Sequence, residues 1–206
     1  MTRVVTALAV SADGFIAGPN DGPGNPLGDG GARLFEWYTD GDTQSRFFPN
    51  FKLSPESAKV FDDGAAHVGA IISGRRTYEI SKAWGRRGPL PGVPLFVLTH
   101  NPPSDPPDSD PPYTFVTGGI EDAINVAKQA AGDEKVVALM GSAPVRQALT
   151  TGLLDEITLH VVPVLLGAGV RLLDDASAEL ELETVVQAPG VTHVTYSVVH
   201  REGVAG

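Results

Sequence analysis

Residues 72 to 79 read Ile-Ser-Gly-Arg-Arg-Thr-Tyr-Glu, which places Gly74, Arg75, Arg76 and Thr77 directly after the apolar run Val68 to Ile72. A strand that ends there and hands over to a helix offers free backbone N–H groups and the positive end of a helix dipole. Guanidinium groups beside it match phosphate geometry in a bidentate way, so the chemistry on offer is phosphate binding. Between Arg75 and Arg87 stand Arg75, Arg76, Lys82, Arg86 and Arg87, one third of the 15 basic residues, against the single acid Glu79. The chain as a whole carries 25 acidic residues and a net charge of -10. Its overall field therefore opposes nucleic acid and anionic membranes, and an anionic ligand needs a local patch of this kind. The same arginines could instead cap carboxylates on an acidic surface, and charge clustering leaves both readings open.

Other residues could move a proton or hold a ring. Asp13, in Ser11-Ala12-Asp13-Gly14, is either a carboxylate at the edge of a site or the start of an Asx-type turn. Trp37, flanked by Glu36 and Asp40, either stacks on a planar ligand or packs in the core. His160 lies inside an apolar run, where it is either a donor to a carbonyl or imine or a satisfied polar group in the sheet. Much else is excluded. There is no cysteine, hence no disulfide or thiolate chemistry. The segment Gly167-Ala168-Gly169-Val170-Arg171-Leu172 fails the G-x-G-x-x-G pattern at its last position, and no Walker, H-E-x-x-H or G-x-S-x-G motif occurs. The five histidines have no ligand spacing, so no metal site is expected.

The elements that must position these groups follow from the pattern of apolar residues. Runs at Val4–Val10, Val68–Ile72, Leu95–Leu98, Val136–Met140 and Ile157–Leu166 are continuous rather than alternating, as in strands covered on both faces of a largely parallel sheet. Between them, Ser54-Pro55-Glu56 reads as an N-cap with proline at the first helical position. Thr77–Trp84 and Ser142–Thr151 read as short helices. Ile120–Ala131 carries Ile120, Ala123, Ile124 and Ala127 on one face, with Gly132 as its stop. Thr192–His200 alternates, as expected of a half-exposed antiparallel strand closing the sheet. Gly18–Gly31, with six glycines and three prolines, is a candidate lid, and the proline-rich Asn101–Pro112 a surface loop.

Three stretches together carry a resemblance. "ISGRRTYE", then "GPLPGVPLFVLTH", then "VTGGIEDAI" are similar to the central block of dihydrofolate reductases. The later "LMGSAPVRQALTTGLLDEITLHVVPVLLGAGVRLL" resembles the reductase domain of the bifunctional riboflavin-pathway deaminase/reductase and its free-standing relatives. Order and spacing agree from Val4 to Leu173. The resemblance implies one domain over residues 1–206, an α/β three-layer dihydrofolate reductase-like fold, and a mixed, mostly parallel sheet of about eight strands with an antiparallel C-terminal strand. It further implies an NADPH cleft across the strand ends. Arg75, Arg76 and Thr77 would meet the 2′-phosphate and diphosphate, with Gly74 permitting the close turn. Leu98, Thr99 and His100 would flank the adenosine part, while Gly141, Ser142 and Ala143 would meet the diphosphate. Ala9 and Ile16 would lie beside the nicotinamide. The cis peptide expected in the family falls at Gly141–Ser142, where it would need serine at its second position, a costly geometry, and the segment "LFEWY" puts Leu34 where the folate-binding carboxylate would stand, against pterin recognition.

The function expected is an NADPH-dependent reductase acting on a small heterocyclic or carbonyl-bearing compound, with Asp13, Trp37 and His160 as candidates for the chemistry. Alternatives are an NADP(H)-binding module without turnover and a riboflavin-pathway aminopyrimidine ribosyl-phosphate reductase. The expected partners are a small-molecule substrate and a second copy in a homodimer, with no nucleic acid, membrane or metal. With no convincing cleavage signal and no apolar run long enough to span a bilayer, a cytoplasmic location is expected.

Overall fold

The continuous run Val4–Ser11 forms β1 at the middle of the main sheet, where both of its faces are covered. The structure, a computed structural model, describes residues 1–174 and 176–200; the expected single unit extends to Gly206, and Asp175 and residues 201–206 lie outside the described set. After β1 come the short β2 (Phe15–Ala17), a 3₁₀ segment at Gly31–Tyr38, β3 (Thr43–Gln44) and β4 (Lys52–Leu53). Then follow α1 (Pro55–His67), β5 (Val68–Gly74), α2 (Arg75–Ile80), β6 (Leu95–Leu98), β7 (Thr114–Val116), α3 (Ile120–Ala131), β8 (Val136–Met140) and α4 (Ser142–Thr150). The chain ends through β9 (Glu156–Val162), β10 (Val170–Arg171), β11 (Leu180–Ala188) and β12 (Val191–Val198).

The main sheet has eight strands in the order β11-β12-β9-β1-β8-β5-β6-β7. The pairs from β9 to β7 are parallel, and β12 and β11 are antiparallel additions. This is the mixed, mostly parallel sheet expected. On one face α3 buries Ile120, Ala123, Ile124 and Ala127 beside Val145 and Ala148 of α4. The alanines let α3 approach β5 closely. The opposite face carries α1 and the Gly31–Tyr38 segment, with Leu34, Trp37 and Ala58 packed toward Ala9, Val162 and Val191. The result is three layers.

Local chemistry accounts for most boundaries. Ser54 Oγ accepts from Ser57 N at 3.2 Å and Pro55 opens α1, as the Ser-Pro-Glu reading requires. Three expectations need correction. The strand expected over Ile157–Leu166 stops at Val162, because Pro163 has no N–H to give the ladder. The helix expected over Thr77–Trp84 starts earlier, at Arg75, and ends at Ile80, after which Lys82–Arg86 turn tightly in the left-handed region with φ between 48° and 75°. The C-terminal strand does not close the sheet. β12 lies between β9 and the edge strand β11, and Val191, His193 and Val198 are buried. No helix among the described residues is long and apolar enough to cross a membrane.

β12 brings a second histidine into the core. His193 is the register partner of His160 on β9, and the two Nδ1 atoms lie 2.8 Å apart. His193 Nε2 sits 2.9 Å from Ser57 Oγ, and Trp37 packs on both rings with centroids at 5.2 Å. Burial, reinforced by the neighbouring His193, pushes His160 down to about 3, and burial pushes His193 down to about 4. Unfolded, both would titrate near 6.5. Between those values the unfolded chain binds more protons than the folded one, so stability rises with pH across that window and is lost on acidification. We expect unfolding free energy to fall by a few kcal/mol, to order of magnitude, between about pH 6.5 and pH 4. Urea titrations at several pH values check it, and His193→Asn should roughly halve the slope. Asp13 and Asp63, both held below the ordinary carboxylate value, act only under about pH 4. An unchanged slope in His193→Asn would contradict the assignment.

Candidate functional site

The C-terminal ends of β1, β5, β6 and β8 open onto a cleft of about 1390 Å³ that continues along the sheet beneath α1. This edge is where a parallel sheet presents its helix starts, and where ligands of open α/β sheets bind. All twelve residues expected at the cofactor lie on its wall. They arrive as four groups: Ala9 with Ile16, Gly74 to Thr77, Leu98 to His100, and Gly141 to Ala143. Of the other basic residues in the Arg75–Arg87 cluster, Lys82, Arg86 and Arg87 do not reach this wall.

The two arginines line the cleft and are paired with acids, as the carboxylate-capping reading of the cluster has it. Arg75 Nε donates to Glu79 Oε1 at 2.6 Å, one helical turn away, and its other end donates to Thr99 Oγ1 at 3.4 Å and to the carbonyl of Asn101. Arg76 grips Asp21 through Nε to Oδ2 at 2.9 Å and a terminal nitrogen to Oδ1 at 2.8 Å, with a third bond to the Asp21 carbonyl. The hydrogen bonds and charge of Asp21 push Arg76 above its ordinary value. Asp21 belongs to the glycine-rich stretch, whose Pro26 and Leu27 also line the cleft. Asn20 and Asn25 side chains donate to Asp29 at 2.7 and 2.8 Å and brace the stretch internally. The candidate lid is thus held against the wall by Arg76.

At the second turn, Gly141 takes φ 86° and α4 starts with no side chain capping it, so the N–H groups at its N-terminus have no intrachain cap. The cis peptide expected at Gly141–Ser142 is not present: among the described residues the single cis bond is Asp110–Pro111.

Farther in, Ala9 on β1 is the register partner of His160 on β9, and both face the cleft. Opposite them stand Phe35, Tyr38, Phe48, Phe51 and Phe61, a cluster in which Tyr38 and Phe51 stack at 4.5 Å. Burial raises the Tyr38 hydroxyl, so it stays protonated. Each of the three carboxylates on the wall is ion-paired: Asp21 with Arg76, Asp63 with Lys59 and Arg46, and Glu156 with Arg3.

Of the three residues expected to carry chemistry, the structure brings only His160 to the cleft. Asp13 is off the wall; its Oδ1 accepts from Ser11 Oγ at 2.6 Å and Leu166 N at 3.1 Å, and its Oδ2 from Gly167 N at 2.7 Å. These bonds, led by the serine, hold its carboxyl down at about 2 and make it a clamp between two loops; the Asx-type turn expected is not formed, because Phe15 N donates to Ser11 Oγ instead. Trp37 is buried, donates Nε1–H to the Leu34 carbonyl at 3.0 Å and supports the histidine pair from behind. Leu34 is fully buried and lies off the cleft wall, so its place is in the core and not at an acid's position in the cleft. Sequence reasoning missed Asp21, Ser57, His193 and the phenylalanines. None has a local motif; the Thr192–His200 alternation could have flagged His193, since it puts that residue on the opposite face from Val194.

The family model for the RibD C-terminal domain matches residues 2–194. A candidate riboflavin biosynthesis protein of Shewanella sp. PV-4 superposes with a TM-score of 0.72 at 21% identity, covering 97% of this chain and 100% of that one. The diaminohydroxyphosphoribosylaminopyrimidine deaminase/5-amino-6-(5-phosphoribosylamino)uracil reductase of Thermotoga maritima gives 0.60 at 15% identity, over 96% of this chain but 57% of that chain. Dihydrofolate reductase from Enterococcus faecalis, in complex with NADP(H), gives 0.57 at 17% identity over 95% and 96% of the two chains. At these identities the superpositions establish the dihydrofolate reductase-like fold, and the match that runs through nearly every element described above places the chain in the RibD C-terminal domain family.

Proposed function

We propose that this chain is an NADPH-dependent reductase that transfers hydride to a small, uncharged heterocyclic or carbonyl-bearing acceptor. The observation that carries the reading is the convergence, on one wall, of Arg75, Arg76 and the uncapped start of α4, with Ala9 and His160 farther along the same cleft. The family match and the reductase named among the structural neighbours support it.

The cleft fits the cofactor. A Cβ built on Gly141 would stand 2.4 Å from Thr77 Oγ1, so the two turns meet as closely as a glycine allows, leaving a backbone cradle for a diphosphate. The Arg76 side chain is 65% exposed, so the guanidinium that grips Asp21 is also open to a ligand in the cleft. A 2′-phosphate accepts the same two charge-assisted hydrogen bonds as the Asp21 carboxylate and carries more negative charge, so it would compete with Asp21 for Arg76. Arg75, Arg76 and Thr99 would hold the 2′-phosphate, and the Ser142 and Ala143 N–H groups the diphosphate. When bound, NADPH supplies the hydride from its nicotinamide ring. The small side chain of Ala9 leaves room for a flat ring, and the aromatic cluster gives the acceptor an apolar wall to pack on.

The acceptor end also narrows the substrate. A ribosyl-phosphate acceptor needs a second anion site, and the one further arginine on the wall, Arg3, lies before the start of β1, away from Ala9 and His160. A pterin needs an unpaired carboxylate, and the wall's three are paired. Neutral rings suit the aromatic box.

Two outcomes are expected. In a fluorescence titration, Arg75→Ala with Arg76→Ala should weaken NADPH by about tenfold or more, and NADH by under about threefold; equal losses would contradict the phosphate role. Gly141→Ala should lower stability by about 1–3 kcal/mol through the positive φ and the clash, and adding Thr77→Ala should restore part of it in thermal unfolding. No recovery would mean that the Thr77 contact is not what excludes a side chain.

A further inference from the structure

His160 presents one ring nitrogen to the cleft, and hydrogen-bond accounting fixes what that nitrogen carries. Its Nδ1 is engaged by His193 Nδ1 at 2.8 Å. No buried side-chain nitrogen or oxygen among the described residues lacks a partner, and His160 lines the cleft, so the remaining Nε2 reaches that space. At the other end of the chain, Ser57 is 1% exposed and its Oγ makes one hydrogen bond among the described residues, to His193 Nε2 at 2.9 Å. A buried hydroxyl must place its hydrogen, and this hydrogen has one place to go. Ser57 therefore donates to His193 Nε2. A neutral imidazole that accepts at Nε2 carries its proton at Nδ1, so His193 donates to His160 Nδ1. His160, accepting at Nδ1, then carries its proton at Nε2.

From this geometry we infer that Ser57 and His193 are positioning residues that lock His160 as a neutral N–H donor into the acceptor end of the cleft. The inference rests on the reductase reading for its use: the ring would polarise a carbonyl oxygen or an imine nitrogen bonded to the carbon that receives hydride. The substrate class is thus a compound with such an acceptor atom next to the reducible carbon, rather than one that donates there. The chain ends in a hydroxyl, so a proton lost from Nε2 has no route of replacement through it. His160 keeps its proton, and the proton that completes reduction comes from water. Both rings are neutral near neutral pH because burial depresses them, and among the described residues no carboxylate or cation forms a hydrogen bond or ion pair with either.

The test reads the rings directly, in uniformly ¹⁵N-labelled full-length protein, by long-range ¹H–¹⁵N correlation of the imidazole protons at pH 7. One tautomer is expected for each: His160 protonated at Nε2 and bare at Nδ1, His193 protonated at Nδ1 and bare at Nε2. Ser57→Ala removes the bias, so the reversed pair should rise from under about a tenth of the population to a comparable share, in line with the loss of one hydrogen bond. Ser57→Thr, which keeps the hydroxyl, should retain the wild-type pattern. The inference is overturned if wild-type His160 is protonated at Nδ1, or if Ser57→Ala leaves both rings unchanged. Neither result depends on NADPH or turnover, so the inference can fail while the reductase reading stands. With a reducible acceptor in hand, Ser57→Ala should lower kcat by about twofold, in step with the share of rings left in the donor tautomer, with the KM for NADPH unchanged.

Discussion

Parallel pairing of β5 with β6 and β8 constrains everything else in this molecule. Strands that run the same way must be joined by crossovers, and the crossovers start their helices at one edge of the sheet. Gly74 and Gly141 end neighbouring strands there, and Thr77 of the first turn lies so close to Gly141 that a side chain at 141 would overlap it. The consequence is a shared rim of backbone donors with Arg75 and Arg76 beside it, in a chain whose net charge of -10 would otherwise repel a phosphorylated ligand. Asp21 occupies one of those arginines with a carboxylate, which accepts two hydrogen bonds from the guanidinium as a phosphate also can.

The far half of the cleft obeys a different rule. Its walls are aromatic and alanine-lined, its carboxylates are paired away, and the polar group on β9 is an imidazole kept uncharged by burial. Charge recognition is concentrated at the strand ends and neutral hydrogen bonding at the acceptor end. In surroundings of such low polarity a fixed N–H dipole acts more strongly than it would in water.

How far the sequence foretold this depends on the range of the interactions. Val4–Val10 and Val136–Met140 show their burial on both faces as unbroken apolar runs, and Ile120, Ala123, Ile124 and Ala127 announce the packed face of α3 at helical spacing. Residues at the strand ends were legible because turn and ligand chemistry share one short motif. β11 was not. It is an edge strand with Leu182 and Val185 exposed, and its order comes from pairing with β12 rather than from a core face of its own. The Arg76–Asp21 pair joins residues 55 positions apart, and the His160–His193 contact spans 33. No periodicity encodes such meetings; the sheet order creates them. Asp13 shows another side of this, a short motif that reads as chemistry or as an Asx turn, and whose hydrogen bonds, two of them to residues 166 and 167, make it a long-range clamp instead.

The central claim is that the arginine pair and the start of α4 hold one phosphorylated dinucleotide between them. A crystal structure of the complex with NADPH tests it most directly. The account requires the 2′-phosphate on the Arg75 and Arg76 guanidinium groups with Asp21 displaced, and the diphosphate on the Ser142 and Ala143 N–H groups. A cofactor bound with its phosphates elsewhere and the Arg76–Asp21 pair intact would contradict it.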